Sequence, residues 1–181
     1  VLQVKLTHAG IPFVIHSGVK FFEQAHIKDI TAFMKVLYNP LDEISWMRLL
    51  RLLPGIGNNT AFRIFNVFQD QQAIRLTKDN DSLQRLIPKK AINSWIVLQE
   101  CFQKMLEEKI SPSNMIGIIY QNFYRDVLFS SFENALQRET DVRYLEEFAV
   151  NYDKLETFLN ELSLVGSSIL TDLESEQHDN Q

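Results

Sequence analysis

The sequence predicts a mostly α-helical fold, and three observations point to it. Apolar residues recur at three- and four-residue spacing through most of the 181 residues. Proline, glycine and Asx–Pro breaks divide those periodic stretches into helix-sized pieces. Only one short run, near the N-terminus, carries a strand signal. A 45% hydrophobic content with thirteen phenylalanines supplies one ordinary domain with a core and excludes global disorder.

That strand signal is Gly10-Ile11-Pro12-Phe13-Val14-Ile15-His16, ended by Ser17-Gly18. Before it, Val1 to Leu6 reads as a helix already under way, so the sequence is expected to be a piece of a longer chain. From Ala25 to Tyr38, Ile27, Ile30, Met34 and Leu37 form one stripe, and Asn39-Pro40 stops the helix. Asp42 is the expected N-cap of the next helix, with Trp46, Leu49, Leu50 and Leu53 inward and Arg48 and Arg51 on the other side. Pro54-Gly55 ends it. The following helix sets Ala61, Ile64, Phe65 and Phe68 on one face, so the pair is expected to form an αα-hairpin with Ile56 as the plug between its arms.

Residues 69–88 read as a polar, broken connection with a short helix at Leu83–Ile87. Ala91, Trp95, Leu98, Phe102 and Met105 then mark a long helix. Ser111-Pro112-Ser113 separates it from another, with Met115, Ile119, Phe123 and Val127 in register. After a polar break at Glu133–Glu139, Val142, Leu145, Phe148 and Ala149 mark a further helix, and Leu155, Phe158, Leu159 and Leu162 a last one. From Gly166 onward the sequence is acidic, lacks aromatics and reads as a linker.

Charge is divided unevenly. Residues 1–110 carry 14 Lys/Arg against 10 Asp/Glu, and residues 111–181 carry 4 against 13, within a net charge of −5. Extended electrostatic wrapping of nucleic acid is therefore not expected, whereas a local contact on the basic half is. The single Cys101 excludes an internal disulfide, and neither a signal peptide nor an eighteen-residue apolar run occurs. The composition reads as that of a soluble cytoplasmic protein.

Enzymatic motifs are absent. None of the six glycines precedes Lys-Ser/Thr, so there is no phosphate loop of the ATPase type. His8, His16, His26 and His178 have no metal-ligand spacing and read as ordinary surface or interface histidines. Glu146 and Glu147 are adjacent, and adjacent side chains on a helix diverge by about a hundred degrees, so they form no carboxylate pair. Cys101 beside Phe102 reads as a buried, inert thiol. Trp46, Phe65, Trp95, Phe102, Phe123 and Phe148 sit at core spacing rather than as a stacking platform. Of Phe21 and Phe22, only one ring can face a regular core.

The candidate site is Gly55-Ile56-Gly57-Asn58-Asn59-Thr60. Two glycines let the backbone take positive φ and approach a ligand closely, and the helix that follows presents free N–H groups and its positive dipole end. A phosphate would be held by the amides of Ile56, Gly57, Asn58 and Asn59, with side-chain bonds from Asn59 and Thr60. Arg48, Arg51 and Arg63 are candidates for flanking phosphates. Such contacts position a protein on a duplex without reading its sequence. The alternative is a structural corner in which Gly55 is a C-cap and Gly57 relieves a clash.

Residues 10–23 and the following Ile27-Lys28-Asp29 resemble the G-I-P-Y, G-G, F-F-E and E-I-K-D stretches of UvrD/Rep/PcrA-type superfamily 1 DNA helicases. Asn39-Pro40-Leu41-Asp42-Glu43 followed by Pro54-Gly55-Ile56-Gly57-Asn58-Asn59-Thr60 is similar, in order and spacing, to that family's N-x-x-D-D stretch and R-G-I-G-D-x-T turn. Residues 140–148 and 158–164 are similar to its R-x-x-N-L-E-E-L and F-L-x-x-x-x-L helices. The resemblance spans nearly the whole chain.

It implies the helical 2B accessory domain of an ATP-dependent DNA helicase. Residues 1–18 would be the junction with motor domain 2A, 19–166 the 2B domain and 167–181 the acidic return linker. It further implies a helix-hairpin-helix-like turn that contacts double-stranded DNA or a duplex/single-strand junction, a role in repair or recombination, and docking against motor domains of the same chain. ATP and magnesium would belong to that motor, leaving this segment with no cofactor, metal or catalytic residue. Ser17 departs from the family pattern, as do His26 in place of Glu, Pro54 in place of Arg, and Asp141 and Tyr144 in place of Arg and Asn. A protein-interaction or autoinhibitory module built on the acidic half, and an independent repair-protein domain, are the competing readings.

Overall fold

The computed structural model describes residues 21–71, 81–107 and 110–164. The strand expected at residues 10–16, the whole 1–18 junction and the 167–181 linker lie outside the described residues. Those described are almost entirely helical, with no strand among them.

Helix α1, Ala25–Tyr38, ends where Asn39 turns extended, its N–H bonded to Lys35 O at 2.7 Å. Pro40 blocks continuation, and its carbonyl accepts the Trp46 indole N–H at 2.8 Å, which fixes the corner leading to α2, Glu43–Leu50. Asp42 caps α2 as expected. Its carboxylate accepts from Ser45 N–H at 3.0 Å and from Ser45 Oγ at 2.7 Å. A tight turn leads to α3, Asn58–Gln71, which packs beside α2. Next come α4, Asp81–Leu86, a 3₁₀ turn at Lys89–Ala91 after Pro88, and α5, Ile92–Glu107. Helix α6, Pro112–Ile119, is capped by Ser111, which accepts from Asn114 N–H, and starts with proline at its first position. Helices α7, Arg125–Ser131, and α8, Ala135–Ala149, precede α9 over residues 155–164. Ala135 already starts α8, so the polar stretch 133–139 is mostly helix rather than a break.

Between α6 and α7, Tyr120–Tyr124 forms a π-helical turn within one continuous run. The extra residue shifts the buried stripe. Met115, Ile119 and Phe123 point inward as their spacing predicts, but Tyr124 and Leu128 then become fully buried, and Val127 is only half-buried.

The core is one contiguous cluster. Phe33 stacks on Phe102 with ring centroids 5.9 Å apart and meets Phe123 edge-on at 5.3 Å, while Trp46 lies 6.2 Å from Phe102. These rings fill the space between α1, α2, α5 and the π turn, and none is free to stack on a base. Phe148 is half-buried and gathers Phe22, Tyr152 and Phe158 around it. Phe21 and Phe22 both find partners because the chain leaves helical geometry at Glu23-Gln24. The two rings meet edge to face and reach different parts of the cluster.

A polar network crosses this core. Asp29 accepts from Arg48 Nε at 2.6 Å and from Tyr124 Oη at 2.6 Å. His26, read from sequence as a surface or interface residue, is instead completely buried: α8 covers that face of α1. Arg138 donates to its Nδ1 at 2.7 Å, which puts the proton of the neutral ring on Nε2, facing Asp141 at 3.2 Å. That approach lies off the hydrogen-bonding direction, so charge–dipole attraction rather than a formed bond holds it. Burial, then the Arg138 charge, push the His26 pKa below its usual 6.5 against the opposing pull of Asp141 and Asp29. Burial foremost, with Asp29 beside it, pushes the Tyr124 phenol upward.

Candidate nucleic-acid interface

The α2–α3 turn is anchored from beneath. Leu53 and Ile56 are buried, and Ile56 is the plug its position suggests, with Ala61, Ile64 and Phe65 closing the α3 side. Gly55 takes φ +78°, which L side chains rarely adopt. Gly57 needs no such freedom; its carbonyl accepts Ala61 N–H at 2.9 Å, placing it at the N-cap of α3. A Cβ on Gly57 would meet nothing within 4 Å. Relief of a clash is therefore not its role.

The N–H groups of Asn58, Asn59 and Thr60 are the first-turn donors of α3, without intrahelical acceptors. No acidic residue in that turn offsets the positive end of the helix dipole. Gly55, Gly57, Asn58 and Asn59 are exposed and Thr60 is half-exposed. The Ile56 amide is different. It donates to Leu53 O at 3.2 Å, so Ile56 holds the turn's shape rather than offering a donor.

The arginines separate. Arg48 is bonded to Asp29 and also reaches Ala25 O at 3.3 Å, so its charge serves the fold although its side chain stays partly exposed. Arg51 and Arg63 are exposed, with no ion pair to either among the described residues. Arg51 also borders a cleft of about 500 Å³ lined by Asp29, Glu43, Met47 and Arg48, where two carboxylates and two guanidinium groups balance in formal charge. Lys90 is the cation that sequence inspection missed. Its side chain crosses Gly55 so closely that a Cβ there would overlap Lys90 Cε and lie 2.9 Å from Nζ. The two residues are far apart in sequence and no local motif links them.

Cys101 is fully buried, and burial pushes its thiol up to about 12, which leaves no thiolate for chemistry at neutral pH. Among the described residues no group of three His, Cys, Asp or Glu is placed to hold a metal. No helix of the described residues is long and apolar enough to cross a membrane.

The family model for the UvrD-like helicase C-terminal domain matches residues 1–171. The ATP-dependent DNA helicase PcrA of Staphylococcus epidermidis is 28% identical over 183 aligned residues, covering 96% of this chain and 24% of that protein. PcrA of Staphylococcus aureus is 24% identical with the same coverage, and the ATP-dependent DNA helicase UvrD1 of Mycobacterium tuberculosis is 45% identical over 58 residues, 32% of this chain and 8% of that protein. The chain thus spans about a quarter of the length of the PcrA relatives it matches. No solved structure matches it significantly. A match running through all the described helices identifies the chain as a member of the UvrD-like helicase C-terminal domain family.

Proposed function

We propose that this chain is the 2B accessory domain of an ATP-dependent DNA helicase, and that it grips duplex DNA phosphates through the Gly55–Thr60 turn to regulate unwinding. Residues 1–18 would join it to motor domain 2A, and 167–181 would return to it. The motor domains would bind ATP and magnesium and perform hydrolysis in the cytoplasm, in DNA repair or recombination. The observation that carries the reading is the turn itself. In a chain of helicase relatives, an exposed backbone corner with an uncovered Gly57 stands at the start of a helix with no acid in its first turn. The grip would be independent of base sequence, because amides address phosphates and not base edges. Net charge of −5 and a small footprint set a weak affinity, on the order of 10⁻⁴–10⁻⁶ M.

Gly57→Ala tests this cleanly. Its methyl enters open space and its φ is permitted, so the fold is retained at a cost of about 1 kcal/mol or less. That same methyl would stand where a phosphate approaches. Fluorescence anisotropy of a labelled blunt hairpin duplex is expected to show weaker binding by Gly57→Ala. Equal affinity of variant and wild type would reject the phosphate turn.

A further inference from the structure

We propose that Lys90 supplies the positive charge of the phosphate site on the Gly55–Thr60 turn, reaching it from a separate helix–turn–helix unit. The inference rests on the proposed duplex-binding role of that turn. Pro54 places no charge beside the glycines and Arg48 is committed to Asp29, so of the cations on the corner's own helices only Arg51 and Arg63 stay unpaired among the described residues, and neither is among the atoms nearest Gly55. Lys90 stands on the 3₁₀ turn between α4 and α5, held in place by Ile87 and the fully buried Ala91 on either side. Because α4 packs against α3, this second turn lies next to the first.

Gly55 is constrained by its backbone, and the exposed end of Lys90 lies beside it. Its φ of +78° excludes most side chains, and its missing Cβ is the space through which the lysine stem passes. Lys90 is exposed and has no hydrogen bond or ion pair to any described residue. Among the described residues its ammonium is thus uncommitted, beside the corner where the α3 amides emerge. Amides fix the position of a phosphate, and an ammonium adds a point charge that releases a counterion on binding. Lys89 is exposed on the same turn, but the three atoms nearest a Cβ at Gly55 all belong to Lys90, which makes Lys89 the internal control.

The test is anisotropy of a labelled blunt hairpin duplex with the whole protein, titrated over a range of salt. Wild type, Lys90→Ala, Lys89→Ala, Gly57→Ala and the Lys90→Ala/Gly57→Ala double variant are compared. Lys90→Ala is expected to weaken binding and to lower the slope of log affinity against log salt by about 0.9, the loss of one phosphate contact. Between about 50 and 200 mM salt, the affinity lost would then be about threefold smaller than in wild type. Lys89→Ala should change the slope less. The double variant should lose less than the product of the two single losses, because both act on one phosphate.

Unchanged affinity and slope in Lys90→Ala, with Gly57→Ala impaired, would overturn the role of Lys90 and leave the turn's role standing. Loss in Lys90→Ala with Gly57→Ala at wild-type affinity, or strictly multiplicative losses, would overturn the shared site. Wild-type binding by both single variants would reject the turn and the lysine together.

Discussion

The Tyr124 hydroxyl donates to Asp29 at 2.6 Å across ninety-five residues of sequence, joining the π turn to the first long helix inside the core. Arg48 occupies the other carboxylate oxygen, so Asp29 is buried with both oxygens satisfied. A buried carboxylate is tolerated only on such terms.

Removing one of those bonds gives the first prediction. Tyr124→Phe keeps the ring and its packing but leaves one oxygen of Asp29 without its donor. Urea unfolding is expected to show a loss of about 1.5–3 kcal/mol with an unchanged m-value, the range for hydrogen bonds to charged groups. A loss below about 0.5 kcal/mol would mean that water replaces the hydroxyl.

The π turn gives the second. Its extra residue turns Leu128 fully into the core and leaves Val127 half-buried. Leu128→Ala should cost about 2–5 kcal/mol by cavity formation, and Val127→Ala about 1 kcal/mol or less. An uninterrupted α-helix continuing the spacing of Met115, Ile119 and Phe123 would favour the reverse order, so the two unfolding midpoints distinguish the two geometries.

His26 gives the third, with a definite sign. Its folded pKa lies below the usual 6.5, so the unfolded chain binds the proton more readily than the native one. Stability is then complete above about pH 6.5 and is lost as pH falls below it toward the folded value. Denaturation midpoints measured between pH 8 and 5 should decline in that window. His26→Gln, which can still accept from Arg138 and donate toward Asp141, should flatten this part of the profile. An undiminished decline in the variant would assign the proton to another group.

The fourth concerns Gly55 and Gly57, which look alike in sequence. Gly55→Ala must adopt a left-handed backbone and displace Lys90, and is expected to cost at least about 1–2 kcal/mol. Gly57→Ala meets no atom, and the two thermal midpoints should therefore separate clearly.

Helical periodicity, which depends only on local chain geometry, was enough to locate α1, α2 and α5, and residue type gave the cap at Asp42 and the break at Ser111-Pro112-Ser113. Periodicity also placed Trp46 and Phe102 in the core, while short ordered motifs, not periodicity, carried the family resemblance. Periodicity failed at Val127 because a π turn changes the number of residues per turn without any sequence mark that breaks the pattern. It was silent on His26, whose burial depends on α8 closing over α1. It was equally silent on the fate of the basic residues, since only tertiary packing decides which charge finds a partner. Arg48, close to the glycine turn in sequence, is drawn away by Asp29, while Lys90, remote in sequence, is laid across Gly55. Local chain geometry thus determined a helical protein with an open glycine corner, and only long-range packing decided which cation stands beside it.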